Sequence, residues 1–294
     1  MTRAPIMQAM MSKASLAACA LLLGAVAPAA AAEEGGHGAH IERQAWSFGG
    51  FAGQYDKAQL QRGFQIYQDV CSACHGLKRV RFRNLVEPGG PEFPEESVKA
   101  LAHGWANKIT DGPDDQGKMF DREPKLFDPI LGPFKNEKEG RAAYGAAPPD
   151  LSLIAKARNV EYTGTWWWHP VSMARDIATS YQEGGADYIY ALLTGYGEAP
   201  ADVKLAEGLH YNAAFPGHQI AMSPPIAKDS FVKYQDETGS LEQNAHDVAA
   251  FLSWAADPHL NGRKSTGWLV MLYLVVTTAL LYAGKRVLWS KIPH

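Results

Sequence analysis

Residues Tyr67–Leu77 read YQDVCSACHGL, with two cysteines three apart and a histidine directly behind the second. The 294-residue chain holds only one other cysteine, Cys19. A tetrahedral zinc site takes four ligands, usually two cysteine pairs or cysteines with paired histidines, and this chain has no second pair. A thioredoxin-like dithiol wants a βαβ context, whereas these cysteines end an amphipathic helical pattern. A disulfide across so short a loop removes little chain entropy. Covalent haem attachment, whose signature is C-x-x-C-H, satisfies spacing and cysteine count together. Both thiols bond to the two vinyl groups, and the adjacent imidazole is thereby held under the iron. Cys71, Cys74 and His75 are the candidate haem c residues.

Upstream, Leu60, Phe64, Tyr67, Cys71 and Cys74 follow one another at spacings of four, three, four and three. This predicts a single helical face that carries the cysteines beside the aromatics. Residues 33 to about 55 are Gly-rich and polar and read as an extended arm. Before them, Arg3 and Lys13 precede ASLAACALLLGAVAPAAAA, a basic start, short apolar middle and small-residue exit. That is a secretory signal over residues 1–32, cut near Ala32. A membrane anchor reads less well, because the run is short, Gly/Pro-interrupted and leads into EEGGHGAH. LAAC at Leu16–Cys19 resembles a lipoprotein site, but the apolar run follows Cys19 rather than preceding it. Export agrees with haem c, which is attached outside the cytoplasm.

At the other end, Gly267–Gly284, GWLVMLYLVVTTALLYAG, has no charge over eighteen residues, roughly 27 Å of helix. Trp268 and Tyr282 stand at its ends, Trp289 just beyond, and Arg263, Lys264, Lys285, Arg286 and Lys291 bracket it, as in a membrane span. The expectation is a haem domain over 33–262, a transmembrane anchor over 263–287 and a cytoplasmic tail over 288–294. The domain then lies on the periplasmic side of a bacterial inner membrane. Loss of Arg3 and Lys13 takes the net charge from −3 to −5, which argues against nucleic acid and permits a basic partner.

Between the ends, PEESVKALAHGWANKI opens as helices do. GGADYIYALLTGYG places Tyr188, Ile189, Leu192, Leu193 and Tyr196 in helical register, with Gly197 as stop. GSLEQNAHDVAAFLSWA opens on a Ser240/Gln243 capping box. Residues 78–150 are irregular, with no run of alternating strands. The fold class is mostly α, a class I-like c-type cytochrome domain with long loops plus one C-terminal transmembrane helix. Loops this long need an organiser, which a haem provides.

The sixth iron position decides function: an open site invites oxygen chemistry, and a Met/His pair suits electron transfer. Residues 33–262 contain three methionines, Met119, Met173 and Met222. Met119 and Met173 sit in charged surroundings and read as packing or surface residues. Met222 lies in FPGHQIAMSPPI, where two prolines stiffen the backbone. It is the leading candidate; a core-filling methionine and ligation by His218 stay open as alternatives.

These residues resemble the cytochrome c1 family, the haem subunits of quinol–cytochrome c reductase (the bc1 complex). Besides CSACH, the resemblance rests on LQRGFQIYQDVC, PPDLSLIAKAR at Pro148–Arg158, GGADYIYALLTGY at Gly184–Tyr196, NAAFPGHQIAMSPPI at Asn212–Ile226 and the C-terminal anchor. It implies thioether bonds at Cys71 and Cys74, His75 as proximal and Met222 as distal ligand, and Arg158 beside a haem propionate. Tyr67 and Tyr188 match aromatics next to the haem. It implies a Rieske iron–sulfur protein as electron donor, cytochrome c as acceptor, and cytochrome b as neighbour in a dimeric membrane complex. The isolated chain is then not an enzyme. The acids in EPGGPEFPEE and DGPDD are positioned to steer a basic cytochrome c.

The chain departs from the family in places. NVEYTGTWWWHPVSMARDIATSYQEG stands where mitochondrial members pass almost directly to the Gly-Gly, and its three tryptophans, Trp166, Trp167 and Trp168, call for a covering surface. Tyr144 replaces paired asparagines, and there are no cysteines for the extra disulfide of some bacterial members. Two other readings stand beside it, the first sharing its chemistry and the second of a different class. One is a membrane-anchored cytochrome feeding a terminal oxidase; the other is a haem enzyme or gas sensor with an open iron.

Overall fold

A computed structural model describes residues 41–160, 165–201, 203–226, 233–234 and 237–290. The expected signal over residues 1–32 lies outside these. Asp56 opens helix α1, Lys57–Asp69, by accepting from the Gln59 N–H, an N-cap that satisfies an orphan donor. Leu60, Phe64 and Tyr67 are buried along its inner face, as the spacing predicts. The helix itself does not reach the cysteines, although Cys71 still packs against the core. α1 stops at Asp69, and Cys71–Ala73 form a separate 3₁₀ turn. Its Cys71 carbonyl accepts from both the Cys74 and His75 N–H groups, at 3.1 and 2.8 Å. Positions three apart eclipse in such a turn, so the two cysteines keep to one side of it.

Strand β1, Leu77–Arg81, follows. Helix α2, Glu95–His103, is shorter than its apolar pattern predicts, because Gly104 caps it and the Trp105 and Asn107 side chains both donate to the Leu131 carbonyl. β2, Ile109–Asp111, pairs with β3, Phe120–Arg122, and β4, Pro129–Ile130, returns antiparallel to β1 with Ile130 opposite Leu77. Helices α3, Glu137–Tyr144, and α4, Ile154–Ala157, come next. A 3₁₀ turn at Trp166–Trp168 leads into α5, His169–Thr179. α6, Gly184–Thr194, buries Tyr188, Ile189 and Leu193. It ends at Gly195 rather than the expected Gly197; there the Gly195 carbonyl accepts from the Ala213 N–H at 2.9 Å and Tyr196 bridges to Asn212. β5, His210–Tyr211, pairs with β6, Gln219–Ile220, and β7, Lys233–Tyr234, with β8, Glu237–Thr238. These four small ladders are the only strands among the described residues, so the mostly α expectation holds.

Ser240 caps helix α7, Leu241–Ala256, by accepting from the Gln243 N–H, but the Gln243 side chain donates to Asp247 at 2.9 Å, so only half of the expected capping box forms. α7 crosses α1 at Gly63, where an added Cβ would lie 2.1 Å from the Asp247 carbonyl and 2.7 Å from the Phe251 Cβ. Around the crossing, Phe251 packs against Phe64, Tyr67 and Trp254 at centroid separations of 5.5, 5.8 and 5.6 Å. Each such pair contributes about 0.5–1.5 kcal/mol beyond burial. Arg62 forks onto the buried Asp247 carboxylate at 2.7 and 3.1 Å. The expected arm is instead partly core. Trp46 and Phe48 are buried; Trp46 stacks on His246 at 4.2 Å and donates to Asp187 at 2.7 Å. An apolar surface of that size does not stay in water when a groove is at hand.

Helix α8, Leu260–Trp289, is long and apolar enough to cross a membrane. Its first turns are clamped to the domain. Asn261 accepts from the Tyr55 N–H, Arg263 forks onto Asp257 at 2.8 and 2.7 Å, and Lys264 donates to the Phe48 and Gly50 carbonyls at 2.6 and 2.5 Å. Lys156 joins Asp257 at 3.0 Å. Burial by itself raises the Asp257 carboxyl, but the Arg263 and Lys156 hydrogen bonds outweigh it and hold the group below its ordinary range.

Two outcomes follow from this packing. Gly63→Ala gains about 1 kcal/mol of helix propensity yet loses more to the clash, so urea unfolding will show a net loss of about 1–3 kcal/mol. A depressed carboxyl contributes stability that is present above its unfolded value near 4 and lost as pH falls through the native value. Asp257→Asn will therefore cost about 2 kcal/mol at pH 7, and thermal melts will show the gap to wild type closing as pH drops below about 4.

Candidate haem site

The site grows from the end of α1. Tyr67 is fully buried against Phe251, and its hydroxyl donates to the His75 carbonyl at 3.0 Å. Burial, followed by the nearby Cys71 and Asp150, pushes its phenol far up, so it stays a donor. His75 Nδ1 lies 2.7 Å from the Pro149 carbonyl oxygen. A carbonyl only accepts, so Nδ1 carries the proton and Nε2 turns its lone pair outward. Ligating histidines are oriented this way, with the second ring nitrogen donating to a carbonyl or carboxylate. Burial lowers the His75 pKa against the opposing pull of Pro149 and Asp150, which keeps the ring neutral near pH 7.

Pro149 is itself held in place. The Leu151 N–H donates to the Gly76 carbonyl at 2.9 Å, and Asp150 accepts from the Lys78 and Ser152 N–H groups at 2.8 and 3.0 Å. Ser152 Oγ accepts from the Arg79 N–H at 3.0 Å. Behind the histidine, Gly76 and Gly132 pack backbone to backbone; a Cβ on Gly76 would lie 2.5 Å from the Gly132 nitrogen.

Cys71 and Cys74 are half-buried free thiols. Enclosure, with Cys74 beside it, pushes the Cys71 thiol up to about 12. Reactive dithiols have depressed pKa values, so this environment suits a thiol kept protonated rather than a redox pair. Among the described residues no three His, Cys, Asp or Glu side chains converge as metal ligands, which leaves the zinc reading without a compact site. Two thiols beside an imidazole with an outward lone pair fit a haem held by its edge and its iron. Tyr144 touches this group too: its hydroxyl is 3.5 Å from Cys74 Sγ, and Phe134 meets its ring edge-on.

Met222 belongs to a second grouping. It follows β6, is half-buried, and its carbonyl accepts from the Tyr196 hydroxyl at 3.0 Å. Burial, then the neighbouring Tyr188, raises the Tyr196 phenol, so Tyr188, Tyr196 and Met222 form one corner. Asn212, fully buried, ties that corner to α6. It donates to the Leu192 carbonyl at 2.7 Å and accepts from the Ala214 and Phe215 N–H groups at 3.0 and 3.1 Å. His218 serves the same turn: it takes a positive φ of 59°, lies beside Tyr211 and has Nδ1 3.3 Å from the Asn212 carbonyl. Met119 and Met173 are exposed, as expected of surface residues. Arg158 has an exposed side chain; its N–H caps α4 on the Ile154 carbonyl, and its own carbonyl would meet a Cβ on Gly185 at 2.9 Å. The sequence reading missed the roles of Pro149, Asp150, Tyr196 and Asn212. The only signals were the PPD turn and an asparagine just before an apolar Pro-Gly loop.

The profile of the Cytochrome C1 family matches residues 46–292. A "Cytochrome c1" of Blastochloris viridis is 46% identical over 280 residues, 94% of this chain and 96% of that one. A "Cytochrome b/c1" of Bradyrhizobium diazoefficiens is 43% identical over 248 residues, 83% of this chain and 35% of that one. "Cytochrome c1 2, heme protein, mitochondrial" of Arabidopsis thaliana is 40% identical over 265 residues, 89% of this chain and 76% of that one.

Tyr67→Phe removes one hydrogen bond while keeping the ring. Denaturant unfolding will show a loss of about 1 kcal/mol, against about 3–5 kcal/mol for Tyr67→Ala, which also empties the core beside Phe251.

Proposed function

The chain belongs to the cytochrome c1 family, the haem-containing electron-transfer subunits of the bc1 complex, and from that premise we propose that it relays single electrons from a Rieske iron–sulfur protein to cytochrome c. In this reading the relay works inside a quinol–cytochrome c oxidoreductase, and the isolated chain catalyses no bond-making step. Bound haem c supplies the one-electron couple. Cys71 and Cys74 would tether it through thioethers, and His75 Nε2 and the Met222 sulfur would ligate its iron. Tyr67 and Tyr188 enclose it, and Arg158 reaches a propionate.

The observation that carries the reading is the Pro149 carbonyl 2.7 Å from His75 Nδ1. It leaves Nε2 free to ligate and supports a held ring plane, as in histidines whose other nitrogen donates to a carbonyl. Tyr196 supports Met222 in the same way, by bonding its carbonyl. A fixed ligand set favours electron transfer over oxygen chemistry.

The partners follow the family. A relative whose name joins cytochrome b to c1 supports cytochrome b as neighbour, in a dimeric complex that also receives α8. In the topology we propose, the haem domain is periplasmic and the basic end of α8 cytoplasmic. Much of the acid assigned to steering is compensated locally. Glu92 pairs with Lys57, Glu95 and Glu96 with Lys99, and Asp111 with Arg122, while Asp114 accepts from the Gln116 and Lys118 N–H groups. Cytochrome c therefore meets a weaker field than the acid count implies.

The test is Met222→Leu beside wild type. The midpoint potential is expected to fall by more than about 59 mV, tenfold in a one-electron equilibrium, and the reduced variant to bind carbon monoxide. Unchanged spectrum and potential would remove Met222 from the ligand set. Isolation from membranes without cytochrome b and a Rieske protein would reject the complex.

A further inference from the structure

The Trp166–Trp168 turn and α5 take no part in the site above. No residue of the turn or of α5 is buried. The three tryptophans are 81, 59 and 57% exposed, and Val171, Met173 and Ile177 are 53, 51 and 74% exposed. Scattered apolar residues on a surface are ordinary; a contiguous apolar segment marks a contact. An 11-residue helix is also too short to be stable in water without packing. Apart from His169, its only ionisable side chains are Arg175 and Asp176, and Asp176 is spent on Arg43 at 2.7 Å.

The place where α5 is fastened identifies what covers it. Arg43, which holds Asp176, lies over the Tyr181 ring at 3.8 Å. The Thr179 carbonyl, at the end of α5, would be 3.7 Å from a Cβ on Gly50. The Gly50 N–H donates to Glu183, and the Gly50 carbonyl accepts from Lys264 of α8. The C-terminal end of α5 thus lies against Gly50, which also holds the first turns of the membrane-length helix, and the tryptophans stand at the other end of α5. Lys264 precedes Trp268 by one helical turn, about 6 Å, and Trp268 opens the uncharged stretch that runs to Gly284. Tryptophan is the side chain that settles at headgroup level, with an apolar body and one polar N–H.

We propose that the Trp166–Trp168 turn and α5 form a second membrane contact, seated in the boundary between lipid headgroups and acyl chains beside α8. The haem domain then rests on the bilayer as well as being tethered to it, and rotation about the single helix is restricted. The proposal rests on the reading of α8 as a bilayer anchor. It commits the surface to lipid rather than to a neighbouring polypeptide, because a run of exposed tryptophans, on a segment whose far end is fastened beside the base of α8, matches the aromatic belt of a membrane interface.

The test places a photoreactive benzophenone amino acid at Trp167 of the full chain in its native membrane, with the same group at Leu272 of α8 as control. Lipid adducts at both positions are expected on mass analysis. Lipid at Leu272 with a polypeptide adduct, or no adduct, at position 167 overturns the proposal while leaving the anchor intact. Absence of both lipid and membrane-subunit adducts at Leu272 overturns the anchor reading and this proposal with it. Independently, the full chain in phosphatidylcholine vesicles carrying shallow brominated lipid is compared with W166F/W167F/W168F, its haem spectrum reporting an intact fold. The variant is expected to lose more than half of the lipid-dependent tryptophan quenching; equal quenching in both proteins rejects the contact.

Discussion

Gly63 allows the backbone of α1 to lie against the Asp247 carbonyl of α7, closer than any side chain permits. The remainder of the molecule is placed by that crossing. α1 delivers Tyr67 and, one turn on, the cysteines and His75. α7 delivers Phe251 and Trp254 to the same core and, four residues after its end, starts α8. The haem site and the membrane helix are thus referred to one contact between two helices distant in sequence. Arg62 on Asp247 neutralises the buried carboxylate that the close approach encloses, a charge that would otherwise be costly.

Around this frame, the long irregular loops are organised by polar brackets more than by apolar packing. Pro149 reaches His75 across 74 residues of sequence, and Tyr196 reaches Met222 across 26. Asp150 and Asn212 each satisfy two backbone donors, Asp150 one in β1 and one in the loop after Pro149, Asn212 both in the loop that follows it. Buried backbone groups must find partners, and here single side chains provide them where, β1 apart, strands are only two or three residues long. The consequence for electron transfer is rigidity: groups that position the proposed ligands are themselves hydrogen-bonded.

The root of α8 extends the same logic to the membrane. Asn261, Arg263 and Lys264 spend their polar groups on the domain rather than on water. The anchor and the domain leave little room to pivot at the join. With α5 fastened to the same segment through Arg43 and Gly50, the face that carries Trp166–Trp168 is tied to the membrane helix.

Local patterns were legible in the residues alone. The C-x-x-C-H run, the inner face of α1, the Ser240 cap, the mostly α class and the apolar C-terminal helix are each written within a few turns of chain, where spacing and propensity dictate the outcome. The family resemblance was equally legible, and the comparisons bear it out. What stayed hidden depends on partners far along the chain. The 3₁₀ turn that separates the cysteines from α1, the burial of Trp46 and Phe48, the pairing of the acids and the end of α6 at Gly195 were all read differently or not at all. The proton position on His75 is the sharpest instance. Nothing near residue 75 specifies which ring nitrogen is free; a carbonyl 74 residues away does, because a hydrogen bond is set by where the fold brings its acceptor and not by the order of the residues.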